Sequence, residues 1–209
     1  MGKIRMGPPQ SMVLFLKEKA GAGHFVETGT FKGDTAAWAG GYFERVFTIE
    51  LSADYHAAAV KRFAGSESVK PLQGNSAQVL AGLAGRIEGP AIFWLDAHWS
   101  GLDTSGREAE CPLIEEVALI NASRADHVVM VDDARLFCAP PPAPHRAEDW
   151  PDLLATVQVL ADHGRRHVIL HDDVLVAVPM ALKEGLVEFV RRELADNRKA
   201  KPWWRRLMS

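Results

Sequence analysis

The chain has 209 residues, 47% hydrophobic and 24% charged, enough for one globular domain with a full core. With 24 Lys and Arg against 27 Asp and Glu the formal charge is −3, so no overall basic field recruits nucleic acid. Two cysteines, Cys111 and Cys138, are too few for a disulfide framework, and no run nears the roughly 18 apolar residues of a membrane span.

The opening MGKIRMGPPQ has no apolar signal-peptide core, which points to a soluble, cytoplasmic protein with reduced thiols. A short amphipathic helix is predicted over 10–19, after Pro8-Pro9. Strand-like runs then alternate with helical ones. The predicted strands are 24–29, 45–51, 69–75, 91–98 and 127–133. The helices between and after them are 34–43, 53–65, 76–85, 111–123 and 150–164, with Gly65, Gly85 and Gly164 as stops. AIFWLDAH (91–98) is nearly continuous in apolar residues, the pattern of a strand buried on both faces.

The last β runs, within 166–180, are separated only by His171-Asp172-Asp173. Parallel neighbours need a long crossover, so this pair is antiparallel and the acids form its turn. The predicted fold is α/β: a Rossmann-like, doubly wound, mostly parallel seven-stranded sheet closed by a C-terminal antiparallel hairpin. One domain is expected over 1–209, with a core of about 22–180, an N-terminal helix in 1–21, and a C-terminal helix and basic tail in 181–209. Two loose loops, 99–110 and 138–148, follow the fourth and fifth strands. They sit where ligands of such sheets bind and read as lids or walls.

The turn after the first strand, HFVETGTFKGDT (24–35), carries the first chemical signal. A phosphate loop would read GxxxxGK[ST]; here Gly33 is followed by Asp34, and an acid there repels phosphate. The dinucleotide fingerprint GxGxxG also fails, because Phe31 stands at its second glycine. What remains is a glycine turn preceded by the carboxylate of Glu27. Glu50 ends the second strand, where a carboxylate can accept from both vicinal hydroxyls of a ribose.

These stretches resemble the class I S-adenosylmethionine-dependent methyltransferases. VETGTFKGDT is similar to their first motif, E-x-G-x-x-x-G-x-[ST]; FTIEL to the second; LQGNSAQVL to the third. The resemblance covers about residues 22–180. It implies S-adenosylmethionine as cofactor, with Glu27, Gly29, Thr30, Gly33 and Thr35 at the methionine end, Glu50 on the ribose, and Asn75 and Ser76 near the adenine.

Asp96 ends the fourth strand and Asp132-Asp133 the fifth, so adjacent strands would gather three acids at one sheet edge. Such acids raise each other's pKa unless a cation neutralises them, and three oxygen donors suit Mg2+ or another hard divalent ion. The catechol-type and macrolide-sugar-type O-methyltransferases carry this pattern, which implies Asp96, Asp132 and Asp133 as metal ligands, with Asp96 also at the cofactor and in catalysis. His98 is the general-base candidate; the lysine known in catechol-type enzymes has no counterpart in 94–110. The expected acceptor is a small-molecule hydroxyl, on a sugar or a phenol, and a homo-oligomer stays open. The competing readings are a nicotinamide-dependent oxidoreductase and a non-catalytic nucleoside-binding protein. Trp99, His145 and Arg146 in the loops, and Trp203 and Trp204 in the tail, carry no firm assignment.

Overall fold

A computed structural model describes residues 6–98 and 110–200 of the chain. In chain order the elements are α1 (Gln10–Ala20), β1 (His24–Thr28), α2 (Asp34–Ala39), β2 (Arg45–Glu50), α3 (Ala53–Arg62), β3 (Val69–Gln73), α4 (Ser76–Leu83) and β4 (Ala91–Leu95). There follow α5 (Leu113–Asn121), β5 (Val128–Val131), α6 (Arg135–Cys138), α7 (Leu153–Ala161), β6 (Arg166–His171), β7 (Val174–Pro179) and α8 (Lys183–Ala200).

The seven strands form one sheet in the order β3-β2-β1-β4-β5-β7-β6. The first five run parallel, and β7 lies antiparallel to both β5 and β6. The predicted α/β architecture and closing hairpin are therefore present. After β3 the chain crosses β2 and β1 to lay down β4 on the far side. This reversal of strand order leaves a crevice at the carboxyl ends of β1 and β4, where ligands of open parallel sheets bind.

Two cores cover the sheet. Phe25, Trp94, Met130 and Val176 point to one face; Val26, Ile49, Phe93 and Leu175 to the other. Each such side chain contributes about 1.5–3 kcal/mol on burial, and all five residues of β4 are buried, as its unbroken apolar run predicts. Trp94 on β4 is 1% exposed and packs in the core.

Several predicted boundaries shift by a few residues, and three places show why. The helix expected over 34–43 stops at Ala39, because Gly40 and Gly41 turn the chain; a Cβ on Gly40 would lie 2.7 Å from Val69 Cγ2. The helix expected from 150 begins at Leu153. Pro151 keeps Trp150 extended, and Asp152 Oδ1 caps the helix by accepting from Ala155 N at 2.8 Å. Strands β4 and β5 end at Leu95 and Val131, so the acids predicted at their tips lie just beyond the ladder. Most of the 99–110 loop, with Trp99, and the tail with Trp203 and Trp204 lie outside the described residues. Among the described residues, no helix is long and apolar enough to cross a membrane.

Candidate active site

The turn after β1 is built by glycine and closed by Glu50. Gly29 and Gly33 take φ of 86° and 78°, and Phe31 between them takes 46°, a left-handed conformation uncommon for an aromatic residue. Gly33 N donates to Thr30 O at 2.7 Å. Glu50 accepts from Phe31 N at 2.9 Å on Oε2 and from Ser52 N at 2.8 Å on Oε1. The carboxylate expected to face a ribose thus also fastens the turn to β2. A Cβ on Gly29 would meet Asp96 O at 2.5 Å, so this glycine also makes room for the chain leaving β4.

Beneath the turn Glu27 is 2% exposed. Its Oε2 accepts from Thr48 Oγ1 at 2.6 Å, and Thr48 Oγ1 lies 2.6 Å from Thr30 Oγ1. Thr48 spends its proton on Glu27, so Thr30 is the donor in the second contact. Burial is the main cause that pushes the Glu27 carboxyl up to about 8, against hydrogen bonds from Thr48 and Thr35. Thr35 therefore reaches the buried acid. A buried carboxyl in that state gains from a cationic neighbour.

Gly74, following β3, donates to Glu50 O at 2.9 Å, which puts the third motif beside the first two. Asn75 caps α4, its Oδ1 accepting from Gln78 N at 3.2 Å. Ser76 is buried and hydrogen-bonds Glu116. Both side chains are thus engaged within the protein.

The three aspartates do gather. Asp96 N donates to Thr28 O at 3.1 Å and Asp132 N to Leu95 O at 3.1 Å, which carries the order of the parallel strands past their ends. His98 stands among the acids, its Nε2 3.0 Å from Asp133 Oδ2 and its Nδ1 3.6 Å from Asp96 Oδ1. Arg135 Nη1 lies 2.5 Å from Asp133 Oδ1 and also pairs with Asp173 in the β6–β7 turn. Asp133 has φ of 55°, a left-handed conformation that aspartate tolerates better than most residues, and its backbone N–H donates to Asp132 Oδ1 at 2.8 Å.

Burial raises the Asp132 carboxyl first, then the charge of Asp96; burial likewise raises Asp96. Burial opposes a charged His98, yet the hydrogen bond to Asp133 and the charges of Asp96 and Asp133 hold its pKa above the usual imidazole value. Asp133 stays low despite burial, because His98 and Arg135 both stabilise its ionised form. Among the described residues, no three His, Cys, Asp or Glu side chains are placed to hold a metal ion as they stand. His98 bridges two of the expected ligands instead.

No family model matches this chain, and no curated protein does. Solved structures do. A candidate caffeoyl-CoA O-methyltransferase from Staphylococcus aureus superposes with a TM-score of 0.60 at 12% identity, over 85% of this chain and 86% of the other. A candidate O-methyltransferase from Klebsiella pneumoniae gives 0.57 at 17% identity, over 84% and 81%. An SAH-bound methyltransferase from Podospora anserina gives 0.54 at 19% identity, over 83% and 80%. The fold is that of the class I methyltransferases.

Within this methyltransferase fold, four site residues escape a reading of the sequence. Thr48 lies inside the second motif with no role of its own there; only the register that pairs it with Glu27 gives it one. Glu116 is buried on α5 among Leu113, Val117 and Ile120. Burial raises its pKa to about 7, with Ser76 and Thr28 as hydrogen-bond partners, and its Oε1 has no partner among the described residues. An acid on the apolar stripe of a helix was the available signal. Trp150 lies with its ring centroid 5.5 Å from that of His98 and 6.2 Å from that of Phe137. Glu110, 1% exposed, accepts from Trp150 Nε1 at 3.0 Å and Arg146 N at 3.1 Å, and lies 3.2 Å from His145 Nδ1. It fastens the loop expected to wall the site.

Proposed function

We propose that this protein is an S-adenosylmethionine-dependent methyltransferase that methylates a hydroxyl of a small molecule. The observation that carries the reading is the Glu50 carboxylate at the end of β2, bonded to the Phe31 N–H of the glycine turn, in a sheet with the class I methyltransferase fold. One carboxylate thereby faces the ribose and holds the backbone that receives the methionine end. Glu27 sits below that turn and supplies negative charge to a cationic sulfonium or amine once it is ionised.

The acceptor would lie beside Asp96 and His98, under the wall of Trp150. In its neutral form His98 takes the hydroxyl proton, and Asp133 and Asp96 stabilise the imidazolium that results. Methyl transfer is an in-line attack, so holding the two reactants in one geometry supplies much of the acceleration.

A hard divalent ion such as Mg2+ belongs to the same reading. Asp96, Asp132 and Asp133 are all oxygen donors, and the raised carboxyls of Asp96 and Asp132 favour an added positive charge. These three residues would hold the ion in competition with His98. When bound, it would neutralise the carboxylates and acidify the acceptor hydroxyl.

Calorimetry with S-adenosylhomocysteine tests the cofactor, with NAD as the competing ligand. Micromolar binding that Glu50→Ala abolishes supports the reading; preference for NAD returns the protein to the oxidoreductases. A methyl-acceptor screen with and without Mg2+ then tests the chemistry.

A further inference from the structure

A groove of about 430 Å3 lies between the sheet and α4, toward the end of that helix remote from Asn75. That volume falls in the range of roughly 300–1,000 Å3 usual for small-molecule sites. Phe47 and Leu72 line it from the sheet, and Val79 and Leu83 from the helix. All four are only partly buried, so apolar surface is left facing the cavity.

The charges at this groove have one sign. Lys70 projects from β3 and Arg86 from the helical turn after α4; both line the groove and both are exposed. Among the described residues no carboxylate lines it, and neither cation has an ion-pair partner. His24, the first residue of β1, completes the wall with its ring 6.4 Å from that of Phe47. Its Nδ1 is buried without a hydrogen-bond partner among the described residues, a polar group kept where a strand facing an apolar core would ordinarily carry an aliphatic residue.

We infer that this groove is a second binding site, for a small organic anion with an aromatic or aliphatic body and a carboxylate head. The apolar walls take the body. Arg86 offers a planar fork that matches a carboxylate, and Lys70 adds a mobile point charge. The site is separate from the one proposed for the cofactor. Asn75 and Ser76, at the start of α4, stand next to Glu50 and Gly74, whereas Leu83 is the last residue of the helix and Arg86 lies just past it.

Titration of the full chain with naphthoate, followed by calorimetry, tests the inference. Saturable binding is expected with a Kd at or below about 1 mM. Lys70→Glu with Arg86→Glu should weaken it at least about tenfold, since both charge-assisted contacts are reversed. Leu83→Trp, which fills the cavity with an apolar ring, should also weaken it at least about tenfold. Naphthamide, the same body without the charge, should bind at least about tenfold more weakly than naphthoate. Far-ultraviolet circular dichroism establishes that each variant is folded. The inference is overturned if naphthoate fails to bind by about 5 mM, if either variant or the amide binds like the parent pair, or if S-adenosylhomocysteine displaces naphthoate. The variant and amide comparisons need no cofactor, so they are decided even if S-adenosylhomocysteine itself does not bind.

Discussion

The backbone N–H of Phe31 donates to Glu50 Oε2 at 2.9 Å while Ser52 N donates to Oε1, so one carboxylate joins the end of β2 to the turn after β1. Both oxygens accept. An amide in its place would turn an NH2 toward a backbone donor. Glu50→Gln and Glu50→Ala should therefore each weaken S-adenosylhomocysteine binding at least about tenfold. Calorimetry reads both, and a glutamine variant that binds like the parent would count against this double role.

Glu27 gives a pH dependence whose sign is fixed by its burial. Burial pushes its carboxyl up from an ordinary 4.5 to about 8. The folded state therefore holds the proton more tightly than the unfolded chain. This contribution to stability is full below about pH 4.5 and is lost as pH rises toward 8. The ligand-free protein should lose Tm between pH 5.5 and 8. Glu27→Gln should flatten that loss by about 5 °C or more. A cationic ligand favours the ionised form, so binding S-adenosylmethionine at pH 7 should release protons. Calorimetry in two buffers of different ionisation enthalpy measures the release.

Glu110 accepts from the Trp150 indole and the Arg146 backbone N–H and contacts the His145 ring. Burial works against its charge, yet these contacts hold its carboxyl below the usual range. Glu110→Ala should cost about 1–2 kcal/mol and lower Tm by roughly 2–8 °C. Trypsin should cut the loop after Arg146 sooner in the variant. Unchanged proteolysis would mean the loop is held by other contacts.

Metal removal tests the aspartate cluster. Turnover should fall at least about a hundredfold in EDTA and return with Mg2+. Asp132→Asn should keep S-adenosylhomocysteine affinity within about threefold while losing turnover to a similar extent. Full activity in EDTA would leave His98, with its two aspartates, as the whole proton-handling apparatus.

Much of this architecture is legible in local pattern. AIFWL reads as a buried strand, the three-residue spacing at His171 forces a hairpin, and acids placed after apolar runs fall at strand ends whatever the register. Partnership across the fold is not legible. Thr48 is an ordinary strand threonine until β1 pairs with β2 and sets it opposite Glu27. Trp150 reads as the start of a helix, and only the folding back of the loop brings its ring to His98. Asn75 shows the converse: its place in the third motif is visible in sequence, but not that its side chain is spent on capping α4.

The missing Cβ of Gly29 has a mechanical consequence. With Asp96 O at 2.5 Å from where that atom would be, and Asp96 N bonded to Thr28 O, the β1 turn and the tip of β4 share a seam with no slack. The turn proposed to seat the cofactor and the carboxylate proposed to meet the acceptor cannot shift independently. They form a fixed anvil against which an incoming acceptor has to be fitted.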